Sequence, residues 1–219
     1  MNVLLLSMPD SFEHTPPITI RMPNGGLTSL AGNVDSHHRI AVADLILVRN
    51  CVRATLEKLM RDLQPDLVGL SVMTFQRQTA KQIIQLLPSL RPSIRVVVGG
   101  YDPSMAPEAY TENCARRVDF IVRGEGEITF RELLRAIENN SGYEHILGLS
   151  FREAGVFRHN RDRPVAGLDG GAIRLPNRAA RVLAGYTMLG RQVDVVETSR
   201  GCTFDCSFSR SSPCAVANS

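Results

Sequence analysis

Short apolar runs alternate with amphipathic segments along the first 150 residues, and turn residues separate them. The apolar runs predict strands over 3–6, 39–47, 67–71, 95–98 and 120–122. Apolar residues at helical spacing predict helices over 50–63, 79–87 and 129–137. Nearly continuous apolar strands separated by helices are typical of a parallel sheet covered on both faces. The sequence therefore predicts an α/β fold with a doubly wound, Rossmann-like parallel sheet.

The loops that follow the predicted strands are rich in residues suited to ligand binding. These loops are Met8-Pro9, Ser71 to Thr74, Gly99 to Pro103 and Arg123 to Glu127. In a doubly wound sheet, ligands bind outside the carboxyl ends of the strands, near the point where the strand order reverses. We therefore expect these loops to lie at one edge of the sheet and to contain the functional site.

Each of these loops also has a purely structural interpretation. Gly99-Gly100 lets a ligand approach the backbone closely, but the same pair is typical of a tight turn. The hydroxyls of Ser71 and Thr74 could bind a ligand or cap the next helix. The Arg-Gly-Glu-Gly-Glu run at 123–127 could simply be a strand-to-helix turn.

The pattern changes after residue 145. Apolar runs at 146–151 and 156–159 flank Glu153-Ala154-Gly155, which predicts a small hairpin. Residues 161–185 carry Pro, Gly and Arg without periodicity and are interpreted as a linker, and 194–198 is predicted to be an extended apolar run. We divide the chain into a domain at 1–145, a hairpin and linker at 146–190, and a third segment at 191–219.

Composition excludes several classes of function. The formal net charge is only +3 and the basic residues are scattered, so a basic patch for nucleic acid is not indicated. No apolar stretch reaches the roughly 18 residues of a membrane span, and Met1 to Asp10 does not resemble a signal peptide. We therefore expect a cytoplasmic protein.

The cysteines are concentrated near residue 219. Cys51 and Cys114 stand apart, whereas Cys202, Cys206 and Cys214 lie within the last eighteen residues. Thiols of a cytoplasmic protein are more often metal ligands than disulfides. Three residues separate Cys202 from Cys206, a spacing that suits two ligands of one iron–sulfur cluster, although two surface thiols can also occur by chance.

Taken in order, these segments resemble cobalamin-dependent radical S-adenosylmethionine enzymes. The resemblance covers almost the whole chain. It rests on Asn2-Val-Leu-Leu-Leu with Pro9, Gly26-Leu27 with Leu30-Ala31, Pro65 to Ser71 with Thr74, Val96 to Gly100 with Pro103 and Pro107-Glu108, Val118 to Glu127 with Phe130 and Leu133-Leu134, and Glu197 to Cys202 with Cys206.

The resemblance implies a flavodoxin-like cobalamin-binding domain followed by the start of a radical S-adenosylmethionine barrel. It implies that Ser71 and Thr74 hydrogen-bond the nucleotide tail of the corrinoid and that Gly99 and Gly100 admit it. Tyr101, Glu125, Gly126 and Glu127 are expected to line the rim of the cleft, and Pro9 is a further expected cofactor-binding residue. Cys202 and Cys206 would be ligands of the family's iron–sulfur cluster, which cleaves S-adenosylmethionine.

The sequence departs from the family pattern in several places. Ser209 occupies the position of the third cluster cysteine, and Cys214 could replace it only at a different spacing. Asp102 stands where many members have His, and the DxHxxG pattern that supplies a histidine to cobalt does not occur. We therefore interpret His14 as a solvated loop residue and expect no protein histidine on the lower face of the corrinoid.

Only ten residues follow Ser209, so most of the barrel is expected to be missing. The leading hypothesis is a cobalamin-binding domain of a methyltransferase-type enzyme whose sequence is truncated and which is inactive alone. Alternatively, Cys202, Cys206 and a third ligand hold an iron–sulfur cluster, and a separate chain supplies the barrel. A flavodoxin-like domain that binds a flavin, a nucleotide or a partner protein is a third hypothesis, and a non-functional remnant is a fourth. A surface normally covered by the barrel predicts weak self-association.

Overall fold

A computed structural model describes residues 1–9, 20–111, 117–165 and 171–200. The strands are β1 (Asn2–Ser7), β2 (Ile20–Arg21), β3 (Arg39–Asp44), β4 (Leu67–Ser71), β5 (Arg95–Gly99), β6 (Phe120–Val122), β7 (Leu149–Glu153), β8 (Val156–His159), β9 (Thr187–Met188) and β10 (Arg191–Gln192). The helices are α1 (Gly25–Asn33), α2 (Val52–Leu63), α3 (Arg77–Leu90), α4 (Tyr101–Met105), α5 (Glu108–Thr111) and α6 (Gly126–Glu138). Short 3₁₀ segments lie at Leu45–Cys51, Thr74–Gln76 and Arg178–Ala180.

The central sheet has the order β3-β1-β4-β5-β6-β7-β8. Its first five strands are parallel, and β7 and β8 are antiparallel to their neighbours. This arrangement confirms the predicted α/β fold class with a flavodoxin-like sheet. The strand order reverses beside β1, because β3 lies on one side of it and β4 on the other.

Alternate residues of the parallel strands point to opposite faces, which gives the sheet two apolar cores. Leu4 and Leu6 of β1 contribute to the core shared with α2 and α3. Val3 and Leu5 contribute to the core shared with α1 and α6. Both faces are covered by helices, which explains why the middle residues of the five parallel strands are apolar. None of the helices in the described ranges is long and apolar enough to cross a membrane.

The predicted hairpin is present and extends the central sheet beyond β6. Its turn contains Ala154 and Gly155, both with positive φ. The first strand begins at Leu149 rather than Ile146. Ile146 instead belongs to a turn in which its amide nitrogen donates to the carbonyl oxygen of Tyr143 at 3.1 Å.

The prediction of an extended apolar run over 194–198 is not matched by a strand. Val196 is 74% exposed there, so this stretch has no buried face that would favour sheet pairing. The short strands of this region are β9 and β10, which form a separate three-stranded sheet with β2. The linker passes along α1, where the amide nitrogen of Asn177 donates to the carbonyl oxygen of Thr28 at 2.8 Å.

Candidate functional site

A cavity of about 480 Å³ opens at the carboxyl edge of the sheet, on the face covered by α1 and α6. Its lining comes from four parallel strands, both helices and the segment 197–200. The lining residues are Leu5, Gly26, Leu27, Leu30, Gly69, Leu70, Ser71, Val97, Gly99, Gly100, Val122, Gly124, Glu125, Gly126, Glu127, Phe130, Glu197, Ser199 and Arg200. The cavity therefore lies beside the reversal of strand order, where doubly wound sheets bind ligands.

Gly69 in the middle of β4 makes room beneath this cavity. In the sheet register it is paired with Leu5 of β1 on one side and Val97 of β5 on the other. A Cβ at position 69 would lie 2.7 Å from Cδ2 of Leu5 and 3.3 Å from Cγ1 of Val97. A side chain at this position would require Leu5 and Val97 to shift, so at Gly69 the strand contributes backbone rather than side chain to the cavity.

The two glycines after β5 have different roles. Gly100 has φ +97°, and a Cβ there would lie 2.8 Å from the amide nitrogen of Val72, so this position needs glycine for the turn itself. Gly99 has no positive φ, and its Cβ would meet only the carbonyl oxygen of Val122 at 3.3 Å and the Cβ of Val122 at 3.6 Å. The tight-turn interpretation thus applies to Gly100, whereas Gly99 leaves backbone open to the cavity.

The structure brings six of the nine predicted cofactor-binding residues to this cavity. They are Ser71, Gly99, Gly100, Glu125, Gly126 and Glu127. The Oγ of Ser71 accepts a hydrogen bond from Nδ2 of Asn24, whose Oδ1 caps α1. Ser71 therefore connects the end of β4 to the start of α1.

The other three predicted residues do not line the cavity. Pro9 is buried, Thr74 is exposed, and Tyr101 is 48% exposed at the start of α4. Thr74 and Tyr101 follow β4 and β5, so they belong to the same edge of the sheet.

Asp102, noted as a departure from the family pattern, is buried behind this edge. Its carboxylate accepts hydrogen bonds from Nε and Nη2 of Arg77 at 2.8 and 2.7 Å. The hydroxyl of Tyr110 donates to the same carboxylate at 2.7 Å. Burial alone would raise the pKa of Asp102, but the hydrogen bonds from Arg77 and Tyr110 hold it below the usual value. Asp102 therefore joins α4 to α3 and α5.

A buried ion pair closes one side of the cavity. Nη2 of Arg200 donates to Oε1 of Glu127 at 2.6 Å, and the hydroxyl of Ser29 donates to the same oxygen at 2.6 Å. Arg200 also donates to Oε2 of Glu197 at 2.7 Å. Burial would raise the pKa of Glu127, but the hydrogen bonds from Arg200 and Ser29 lower it below the usual 4.5. We call Arg200, Glu127 and Ser29 the ion-pair cluster.

Several lining residues were not among the sequence predictions. Gly69 could have been found, because a glycine inside an apolar strand signals a close approach of another group. Arg200 belongs to the segment that leads into Cys202, but no local feature of the sequence indicates that its side chain reaches α6. Gly26 and Leu27 lie on α1, which the sequence analysis did not predict as a helix.

The predicted iron–sulfur ligands Cys202 and Cys206 lie outside the described residues, as do Cys214, Ser209, Cys114 and His14. Cys51 is an exposed free thiol.

Comparison with solved structures supports the fold. The radical enzyme OxsB, solved with aqua-cobalamin and S-adenosylmethionine, matches with a TM-score of 0.71 at 24% identity, over 92% of this chain and 27% of that one. The radical methyltransferase TsrM from Kitasatospora setae, solved with cobalamin and a [4Fe-4S] cluster, matches with a TM-score of 0.59 at 21% identity, over 82% of this chain and 32% of that one.

Sequence comparison finds relatives over most of the chain. A methyltransferase of Pyrococcus horikoshii whose role is uncharacterised is 31% identical over 97% of this chain and 46% of its own length. The 4'-phospho-dehydrooxetanocin synthase of Priestia megaterium is 28% identical over 93% of this chain and 29% of its own length. The chain thus spans less than half the length of these two relatives. Residues 19–134 match the model of the B12 binding domain, and the chain belongs to that family.

Proposed function

We propose that the chain binds cobalamin with the nucleotide tail in the cavity beside β4 and β5. The observation that carries this proposal is the glycine lining of the cavity. Gly69, Gly99 and Gly126 line the cavity with backbone, and a Cβ at Gly69 or Gly126 would lie 2.7 Å from Leu5 or 3.0 Å from Leu30, so a side chain there would push these neighbours into the cavity. A flat, bulky tail needs such a cleft, because every additional Cβ would narrow the slot between the sheet and α1.

The size of the cavity indicates which part of cobalamin enters it. A volume of about 480 Å³ suits a group of drug size rather than a whole corrinoid with its nucleotide. The tail is therefore inserted, and the corrin ring rests outside, against the loops at the carboxyl ends of the strands. There Thr74 and Tyr101 are exposed to meet it, whereas Pro9, just after β1, is buried.

Polar groups at the cavity mouth would orient the tail. Ser71, at the end of β4, supplies a hydroxyl to its oxygen or nitrogen atoms. Glu125 and Gly126 lie at the start of α6, where amide N–H groups point out of the helix and suit the tail's phosphate. Ser71, Glu125 and Gly126 were predicted from the sequence, and Gly69 and Gly26 join them as residues of the cavity lining.

The longer relatives indicate the chemistry that such a domain serves. Cobalamin supplies methyl-carrier or radical chemistry in such enzymes, while the protein binds and orients it. We propose that the full activity is of the methyltransferase type. It would require an iron–sulfur cluster on Cys202 and Cys206 and S-adenosylmethionine, with the barrel supplied by further sequence or a separate chain. We also propose that the protein acts in the cytoplasm.

Titration with hydroxocobalamin tests the binding proposal. The purified chain is titrated, passed through gel filtration, and the protein peak is read by its visible spectrum. We expect about one corrinoid per chain. Gly99→Val should weaken binding at least about tenfold, because its branched side chain enters the cavity. The backbone at Gly99 has no positive φ, and a Cβ there requires Val122 to shift by only a few tenths of an ångström.

Gly142→Val is the matched control. Gly142 is exposed in the loop after α6, has no positive φ, and a Cβ there would meet only the flexible carboxylate of Glu144. This variant should bind like the original chain. A colourless protein peak, or equal binding by the Gly99 and Gly142 variants, would contradict the proposal.

A further inference from the structure

Two histidines and a glutamate meet at the edge of the sheet opposite to the cavity. His37 and His38 lie in the loop between α1 and β3, and Glu138 is the last residue of α6. One ligand atom from each of the three side chains lies within 4.8 Å of the other two. The loop precedes β3, so this group is at the amino edge of the sheet and shares no residue with the cavity described above.

The neighbouring contacts hold the loop and the helix together. Arg135 of α6 donates from Nε and Nη2 to the carboxylate of Asp35 at 2.6 and 2.8 Å. His37 approaches Glu138 through Nε2 at 2.8 Å. The backbone positions of the three side chains are thus fixed before any ion binds, which lowers the ordering cost of binding.

One ring nitrogen in this group lacks a hydrogen-bond partner. His38 is only 7% exposed, and its Nε2 is buried with no donor or acceptor in reach among the described residues. Its Nδ1 lies 3.3 Å from the α-amino nitrogen of Met1. A buried polar atom without a partner is costly, so such an atom in a native structure calls for a missing ligand, ion or water.

The donor types suit a cation, because the group offers two imidazole rings, one of them buried, and one carboxylate. Neutral imidazole and carboxylate are the forms that bind metal ions.

We propose that His37, His38 and Glu138 bind one divalent transition-metal ion of the zinc class. Two imidazole nitrogens and one carboxylate oxygen form a donor set of the kind that zinc accepts, with water completing the coordination. In a tetrahedral site, donor atoms about 2.1 Å from the ion are about 3.4 Å apart. Donor atoms at the 4.8 Å limit must therefore close by up to about 1.4 Å, whereas the His37–Glu138 pair, at 2.8 Å, must open slightly. His37 and Glu138 are exposed and free to make that adjustment.

The ion can reach this group from solvent. His38 also lines a second cavity of about 400 Å³, together with Asp35, Ser36 and Arg174. The expected role of the ion is to fasten the loop before β3 to the end of α6, in addition to the Asp35–Arg135 pair. It would stabilise the face of the domain that contains the cavity lining on α1 and α6.

The experiment uses metal-free protein in which Cys202, Cys206 and Cys214 are replaced by serine, because thiolates bind zinc on their own. Zinc chloride is titrated by calorimetry, and cobalt(II) is added in parallel to read the ligand set from its visible spectrum. We expect one zinc per chain and a cobalt spectrum of nitrogen and oxygen ligands. His37→Ala and Glu138→Gln should each weaken zinc binding at least about tenfold.

His145→Ala provides the control, because His145 is exposed in the loop after α6 and outside the group. It should bind zinc like the parent protein, and circular dichroism should show that all variants are folded. Stoichiometric zinc binding that survives both His37→Ala and Glu138→Gln would overturn the proposal. Absence of zinc binding by the parent protein would overturn it too, and would leave His37 and Glu138 as a plain ion pair.

Discussion

At the scale of single residues, the ion-pair cluster has a large electrostatic effect on the stability of the fold. Glu127 and Arg200 have side chains only 6% and 12% exposed, and they belong to segments far apart in the sequence. Two charges removed from water are stable only when each is paired and hydrogen-bonded. Ser29 supplies the second hydrogen bond to Glu127, so α1, α6 and the segment 197–200 depend on the same carboxylate.

Removing Arg200 alone should therefore lower the free energy of unfolding, whereas removing both Arg200 and Glu127 should lower it much less. We expect Arg200→Met to lower the free energy of unfolding by about 3 kcal/mol at pH 7, because it leaves Glu127 buried and unpaired. The double variant Arg200→Met/Glu127→Met should recover most of that loss. Urea unfolding measures both. Equal stability of the single variant and the original chain would show that the pair contributes nothing.

The same pair predicts a pH dependence of stability. The pKa of Glu127 is lowered in the folded chain, so its stabilising contribution is fully present above the unfolded value, near 4.5. This contribution is lost as the pH falls through the folded pKa. The difference in unfolding free energy between the original chain and Arg200→Met should therefore shrink in acid. A difference that stays constant between pH 7 and pH 3 would contradict this assignment.

At the scale of elements, the turn after β5 is fixed by contacts of a residue that lies outside the cavity lining. Asp102 of α4 binds Arg77 of α3 and Tyr110 of α5, so one buried carboxylate connects three helices. Two of these helices are only five and four residues long, which is too short for a helix to be stable by itself. The position of Gly100 and Tyr101 at the cavity edge thus depends on a residue that does not line the cavity.

This arrangement predicts graded losses of stability. Asp102→Asn should lower the free energy of unfolding by about 2 kcal/mol, because Arg77 loses a bidentate carboxylate, and Tyr110→Phe by about 1 kcal/mol. Amide exchange over 101–105 should accelerate in both variants. Glu108→Gln, an exposed change on α5, is the control and should be neutral. Unchanged exchange in Asp102→Asn would show that α4 is held by other contacts.

Elements with strong apolar periodicity were predictable from the sequence, and the others were not. For α2, Val52, Leu56 and Met60 are buried as the helical spacing predicted. By contrast, α1 reads Gly-Gly-Leu-Thr-Ser-Leu-Ala-Gly-Asn, which is poor in helix-forming residues. It is stabilised by its Asn24 cap and by packing on the sheet, which only the three-dimensional structure reveals. Strands of two residues, such as β9, carry no readable period.

The site was predictable to a similar extent. Loops after parallel strands converge by topology, so Ser71, Gly99 and Glu125 could be assigned to one edge from the order of elements alone. The sequence could mark Gly69 as a point of close approach, but its place between Leu5 and Val97 depends on sheet register, and the role of Arg200 depends on a contact across 73 residues of sequence. Neither register nor long-range pairing can be read from local pattern.

At the scale of the whole molecule, the cavity connects the domain to the segment that precedes the cysteines. Glu197, Ser199 and Arg200 line the cavity together with residues of β4, β5 and α6. A ligand in the cavity therefore contacts both parts of the chain at once. A ligand that binds in the cavity stabilises the state in which 197–200 is docked. By linkage, this stabilisation equals the free energy that the docked segment adds to ligand binding.

This coupling can be measured with trypsin, which cleaves after arginine. The Arg200 side chain is held in the ion-pair cluster, so cleavage after it requires the segment 197–200 to detach. We expect saturating hydroxocobalamin to slow this cleavage at least about fivefold, as followed by mass spectrometry, since it binds the docked state more tightly. At a corrinoid concentration that just saturates the original chain, the Gly99→Val variant should be protected less, whereas Gly142→Val should be protected like the original chain. Equal cleavage rates with and without the corrinoid, under conditions where it is bound, would mean that the segment is not part of its binding site.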